Sequence, residues 1–264
     1  MAVVRMSSVP FSPVRQKRRT SDKLIFISCE GSVTEWEYFE KIINMVFVNI
    51  NSKVKIINVL EDALKKNTKK RTIEENKLIS SSNPKNLLEK MDAFKVENQG
   101  VYDFKRHDED EFWLIMDVDD HTNSSIIDAD GKSNFDKWND VLSECKSKNY
   151  QYAVSNPFFE LWLLLHFDDV NSEDYSYAVN DYHSYKSTSH YRERLSALKV
   201  PLKDNKHIDP KYYNKYNKGA INNAIARAEA LDIESECDYP TNLGTTVYRL
   251  LKSIAEIDAQ YSNN

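Results

Sequence analysis

Glycine and proline are scarce in this chain of 264 residues, with five and seven respectively, which argues against collagen-like, glycine-linker and many-turned all-β architectures. Five glycines also leave no dinucleotide-binding fingerprint and no phosphate-cradling loop ending in Lys-Ser or Lys-Thr. Any nucleotide-driven switching is therefore expected to belong to a partner. The three cysteines, Cys29, Cys145 and Cys237, are too few and too widely spaced for a disulfide framework or a zinc site, and a reducing cytoplasm is the expected compartment. Neither a nucleophile elbow nor a paired-histidine zinc motif is found. The strongest apolar run, Leu161 to Leu165, is far too short to span a bilayer, and the basic N-terminus is not followed by an apolar export segment. No membrane association is expected.

What the chain does contain is 41% hydrophobic, 11% aromatic and 29% charged residues, enough apolar material for a packed domain with an appendage. The net charge of −5 is uneven. Arg5, Arg15, Lys17, Arg18, Arg19 and Lys23 face only Asp22 in the first 23 residues, so the remainder sums to −10. Residues 1–22 lack apolar periodicity and read as a flexible basic arm, open to a nucleic-acid or partner contact. An acidic body is compatible with nucleic-acid binding when carboxylates hold divalent metal.

Leu24 to Cys29 is a continuous apolar run ending in Glu30-Gly31, as expected of a strand buried on both faces. Ser32 and Glu35 have capping-box spacing, and Trp36, Phe39, Ile43 and Val46 or Phe47 continue at helical intervals. Residues 54–59 predict a second strand, and Asn83-Pro84 a helix start. Between them lies KKNTKKR (65–71), a basic loop that either simply connects or faces substrate. Glu111 to Asp117 predicts a third strand running into Val118-Asp119-Asp120-His121, and Ser133 a helix cap. Tyr152 to Ser155 predicts a fourth strand, with Asn156-Pro157 opening a buried helix that contains Glu160. Strand–helix alternation implies an α/β fold with a mostly parallel four-stranded sheet flanked by helices. Beyond about residue 170 strand signals cease. The expected division is an arm (1–22), an α/β core (23–168) and a helical C-terminal region (169–264) packed on it.

In an open parallel sheet the working crevice lies beyond the carboxyl ends of the strands. Those ends carry Glu30, then Asp117 and Asp119, then Ser155-Asn156 with Glu160 close behind. Converging carboxylates repel one another unless a cation neutralises them, and oxygen-only ligation with substrate phosphate suits Mg²⁺ or Mn²⁺. Gly31 would permit a tight turn and close approach of phosphate to backbone amides. Glu35 reads more readily as a capping glutamate than as a ligand. Asn156 either caps the helix or points into the crevice, His121 either orients a ligand or sits in solvent, and His166 reads as a charge partner for a helix C-terminus. Eight tyrosines between Tyr175 and Tyr216 interleave with lysines that include Lys215 and Lys218, which suits either stacking on unpaired RNA bases or a protein interface.

The blocks IFISCEGSVTEWEYFEKI, EFWLIMDVDDH, YAVSNPFFELWLLLHF and GTTVYRLLKSI together resemble the RloB family from residue 24 to about 254. That resemblance implies a Toprim-like (Rossmann-like) metal-binding core, shared with topoisomerases, primases and overcoming-lysogenization-defect nucleases. It implies Glu30, Asp117 and Asp119 as the metal set, a role in antiphage abortive infection, and an AAA- or ABC-type ATPase partner of the RloA kind. Two departures stand out: Val118 occupies a position where the family often has a basic residue, and the 65–71 insert has no counterpart. The expectation is a Mg²⁺- or Mn²⁺-dependent nuclease favouring RNA such as tRNA. Glu160 would act beside the metal set, Gly31, Asn156, His121, Lys215 and Lys218 would contact substrate, and the chain could assemble as a homo-oligomer. The competing expectation is a non-catalytic adaptor or sensor in an ATPase-containing complex.

Overall fold

A computed structural model describes residues 23–31, 33–48, 56–58, 83–119, 121–127, 131–183, 189–232 and 237–262. The basic arm and the 65–71 insert lie outside the described residues, as do Ser32 and Asp120.

Strand β1 (Ile25–Cys29) is followed by helix α1, which consists of a turn at Thr34–Glu37, a π-helical stretch at Tyr38–Ile43 and a last turn at Asn44–Val46. Next come β2 (Ile56–Asn58), α2 (Pro84–Tyr102), β3 (Glu111–Asp117), α3 (Asn134–Ser147), β4 (Gln151–Asn156) and α4 (Glu160–Leu165). The C-terminal part carries α5 (Ser172–His183), α6 (His190–Ala197), β5 (Leu202–Lys203), β6 (His207–Ile208), a 3₁₀ turn (Pro210–Lys215), α7 (Lys218–Leu231), β7 (Gly244–Thr245) and α8 (Val247–Ser262).

The main sheet has the order β2-β1-β3-β4-β7, with the first four strands parallel and β7 antiparallel at the edge. The expected four-stranded sheet thus gains a fifth strand, and the expected end of strand signals near residue 170 is corrected by β5, β6 and β7. Elements of two residues are too short to show a period of two, so they leave no mark in the hydrophobic pattern.

Continuous apolarity in β1 has the cause assigned to it. Ile25, Ile27 and Cys29 enter one core with α1 and the C-terminal helices, whereas Leu24 and Phe26 enter a second core with α2 and α3. Phe26 meets the rings of Phe94, Tyr102, Phe104 and Phe112 at 5.1 to 5.4 Å between centroids. Such pairs are worth roughly 0.5–1.5 kcal/mol each beyond burial. The first core runs without a break into Leu250, Leu251 and Ile254 of α8, so the region after 168 shares the core of the region before it.

Helix starts follow local chemistry. Asn83 Oδ1 accepts the Asn86 N–H at 2.9 Å with Pro84 at the first position, and Ser133 forms a reciprocal capping box with Asp136. The Asn156-Pro157 expectation is corrected: Asn156 ends β4, the 156–157 peptide bond is cis, and α4 begins only at Glu160. The block GTTVYRLLKSI supplies the edge strand. Thr246 accepts the Val154 N–H on its hydroxyl and returns its own N–H to the Val154 carbonyl, each at 2.9 Å.

His166, expected as a charge partner for a helix C-terminus, does bond a carbonyl of α4 from its C-cap position, but as a buried ring whose charged form is disfavoured. It is 2% exposed, its Nδ1 lies 2.9 Å from the Trp162 carbonyl and its Nε2 lies 2.9 Å from the Tyr38 hydroxyl. A ring nitrogen against a carbonyl must carry the proton, so Nε2 accepts from Tyr38 and the ring is neutral. Burial drives its pKa down to about 3. Unfolded histidine binds a proton near 6.5, so the stability present above pH 6.5 is lost as pH falls towards 3, by up to about 1.4 kcal/mol per pH unit from this group. Urea titrations of the wild type and His166→Phe should diverge in their pH slope across that window, the variant losing less stability on acidification.

Candidate functional site

The order β2-β1-β3 makes the chain leave β1 in one direction and return on its other side, so the topological switch point falls between β1 and β3. Glu30 and Asp117 stand at the carboxyl ends of those two strands, and the Glu30 N–H extends the ladder to the Ile115 carbonyl at 2.9 Å. The Glu30 carboxylate is already engaged: Oε2 accepts the Asp117 N–H at 3.2 Å, and Oε1 lies 2.8 Å from His121 Nε2. His121 in turn stacks on the buried Trp138, with the rings 7° from parallel. The structure thus makes His121 a partner of Glu30.

Asp117 keeps some exposed surface, yet its carboxyl is held well above the ordinary carboxylate range, first by burial and then by Glu35, Glu30, Glu160 and Asp119. Five carboxylates therefore share one electrostatic neighbourhood. Asp119 adopts a positive φ of 40°, a conformation aspartate tolerates better than most residues.

Glu35 is the residue that sequence reasoning discounted. It is 7% exposed, and its Oε1 accepts the Gly31 N–H at 3.2 Å. Burial, followed by the charges of Glu160 and Glu30, lifts its pKa to about 7 against the opposing pull of backbone N–H groups. Capping-box spacing looks the same in sequence whether the glutamate caps or is buried, which is why the pattern misled. Gly31 has a role beyond the turn and phosphate approach expected of it. A Cβ there would overlap the Glu35 carboxylate, so glycine is required for that carboxylate to lie against the backbone. Gly31→Ala is expected to displace Glu35 and cost about 1–2 kcal/mol through the lost buried hydrogen bond, measured by thermal denaturation.

Glu160 meets the requirement set by its apolar helix. At 7% exposure it receives Arg192 of α6, through Nε at 2.8 Å and through Nη2. Arg192 was missed because nothing in α6 marks which arginine turns inward. Lys90 was missed although a signal existed: it falls at i+3 in the stripe Leu87, Lys90, Met91, Phe94 that packs α2 on the sheet, and it is 8% exposed. Burial lowers its ammonium pKa while the charge of Glu30 opposes that shift.

Lys215 and Lys218 have their described contacts elsewhere. Lys215 donates to the Lys199 carbonyl at 3.1 Å, and Lys218 pairs with Asp258 of α8 at 3.2 Å. Tyr191 and Tyr216, from the tyrosine series, are fully buried core residues. Asn156 is 3% exposed and donates to the Pro240 carbonyl at 2.9 Å. It also lines a crevice of about 220 Å³ that contains Asp119.

Across residues 25–254 the chain matches the family model described as RloB-like protein. The chain belongs to the RloB-like family. No curated protein and no solved structure matches it. In this RloB-like chain the family match spans every strand of the main sheet and every carboxylate of the group.

Whether these residues suit a divalent metal turns on donor chemistry and placement. The donors are hard carboxylate oxygens whose mutual repulsion a cation would relieve, which fits Mg²⁺ or Mn²⁺. Among the described residues no three His, Cys, Asp or Glu side chains converge as they stand into a set that could hold an ion. Glu30 would have to release His121 or the Asp117 amide in order to ligate. Among the described residues, no helix is long and apolar enough to cross a membrane.

Proposed function

We propose that this RloB-like protein is a Toprim-like, divalent-metal-dependent nuclease, the toxic effector of a bacterial antiphage (abortive infection) system, cleaving RNA such as tRNA under the control of an AAA- or ABC-type ATPase. The observation that carries this reading is the carboxylate group at the β1/β3 switch point, where burial and mutual repulsion raise Asp117 and Glu35. Glu30, Asp117 and Asp119 would hold Mg²⁺ or Mn²⁺, with Glu35 and Glu160 beside them. A bound ion in such a site supplies charge neutralisation at phosphate and a more acidic attacking water. Glu160, tied to Arg192, fixes the start of α4 against the group. His121 orients the Glu30 carboxylate that would serve as a ligand.

One observation favours the adaptor reading: the carboxylates do not stand converged. The deciding experiment incubates the chain and its ATPase with tRNA, single-stranded RNA and duplex DNA in Mg²⁺, in Mn²⁺ and in EDTA. Cleavage in metal and none in EDTA supports the nuclease. Intact substrates throughout, with the ATPase assembled and hydrolysing ATP, favour the adaptor.

A further inference from the structure

The crevice beside Asp119 is built from the loop after β3, the turn after β4, the first two turns of α5 and the segment before β7. Its walls include Asp119, Asn123, Asn156, Pro157, Tyr175 and Val179. Among the described residues no lysine or arginine lines it and the one charged wall residue is an aspartate, so this lining is unsuited to a phosphate or any other anion.

Its chemistry is that of a flat, neutral, hydrogen-bonding guest. Tyr175 and Pro157 contribute rings to its lining. The Asn123 carbonyl accepts the Ser125 N–H at 2.9 Å, which leaves that side chain's two amide protons for the crevice. Asn156 is fixed by its bond to the Pro240 carbonyl and by a side-chain hydrogen bond to Tyr175, which holds the amide and the Tyr175 ring in one arrangement at the crevice wall. The volume of about 220 Å³ accepts one base with part of its sugar. Bases outside a duplex are held in this way, by stacking on aromatic rings and by hydrogen bonds to their edges.

We infer that this crevice is a nucleobase subsite, which seats one unpaired base of a nucleic-acid strand beside the Asp119 end of the carboxylate group. The inference deepens the nuclease reading and rests on it for the nature of the strand. Base binding itself requires no cleavage. A base can enter the crevice only when it is unpaired and unstacked, so the subsite selects looped or single-stranded substrate over a duplex.

The test titrates the full chain, in EDTA so that no cleavage can occur, with AMP, GMP, CMP, UMP, dAMP and ribose 5-phosphate, followed by calorimetry or by chemical-shift changes. At least one nucleotide should bind and ribose 5-phosphate should not. Tyr175→Ala should weaken that binding about tenfold, the loss expected for one stacked ring. Val179→Trp, which fills the crevice from a half-buried helix position, should abolish it, with circular dichroism confirming the fold. Equal binding of ribose 5-phosphate, no binding by any nucleotide at millimolar concentration, or undiminished binding in both variants overturns the subsite. Comparing AMP with dAMP shows whether the ribose hydroxyl contributes. If nucleotides bind as described and no strand is ever cut, the nuclease reading fails and the subsite stands. If RNA is cut while Tyr175→Ala and Val179→Trp leave KM unchanged, the subsite fails and the nuclease reading stands.

Discussion

Asp117→Asn is expected to lower metal-dependent cleavage by at least about a thousandfold while making the metal-free protein more stable than the wild type. The two effects share one cause. Folding brings the Asp117 carboxyl into a place where burial disfavours its charge and where Glu35, Glu30, Glu160 and Asp119 disfavour it further. A group whose folded pKa is raised gives stability below its unfolded pKa, near 4, and loses it as pH climbs through the folded value. At neutral pH the wild type therefore carries an electrostatic penalty that asparagine, the same size and uncharged, removes. The gain should be about 1–2 kcal/mol at pH 7 and should vanish near pH 4. Urea titrations at both pH values measure it. Mg²⁺ should stabilise the wild type and not the variant, because only the wild type gains from neutralisation. A variant less stable than the wild type at pH 7 would show that Asp117 is a structural acceptor.

The second large effect concerns Arg192. Arg192→Met leaves the Glu160 carboxylate 7% exposed and without its guanidinium, next to four other carboxylates. Breaking a fully buried pair costs roughly 3–5 kcal/mol, and the 30% exposure of the Arg192 side chain reduces that to about 2–3 kcal/mol here. Adding Glu160→Gln to Arg192→Met should restore most of the loss, since the stranded charge is then gone. Thermal unfolding of the two single variants and the double variant closes the cycle. A double variant as unstable as Arg192→Met would mean that Arg192 acts through packing of its stem.

Much of the frame was legible in the sequence because burial on both faces writes long apolar runs. β1 and β3 fall within a residue or two of their expected limits, and the caps at Asn83 and Ser133 behave as their residue types dictate. The β4–α4 junction was misplaced because Asn-Pro has the composition of a helix start, whereas here Asn156 remains in the sheet by pairing with Gly244. Strand-end position brought out Glu30, Asp117, Asp119 and Glu160. It could not bring out Glu35, which lies six residues past the strand in a helix whose middle is π-helical. Nor could it bring out Arg192, which reaches Glu160 across 32 positions. Partners supplied from distant helices leave no periodic trace, and neither does a crevice assembled from four separate segments. Lys215 and Lys218 were chosen by composition, and their contacts with the Lys199 carbonyl and Asp258 could not be read from it.

The edge strand β7 has a consequence for how the protein comes to exist in a cell. Ser155 finds its hydroxyl partner Thr245 ninety positions later, at 2.9 Å. Until those residues leave the ribosome, β4 has an open edge and the turn that carries Asn156 lacks the Pro240 carbonyl that fixes it. Contacts of such separation form late and slowly. The crevice and the last parallel strand are thus completed only after the chain has been made past Thr245, so a product truncated before that point would have the carboxylates without the neighbours that arrange them.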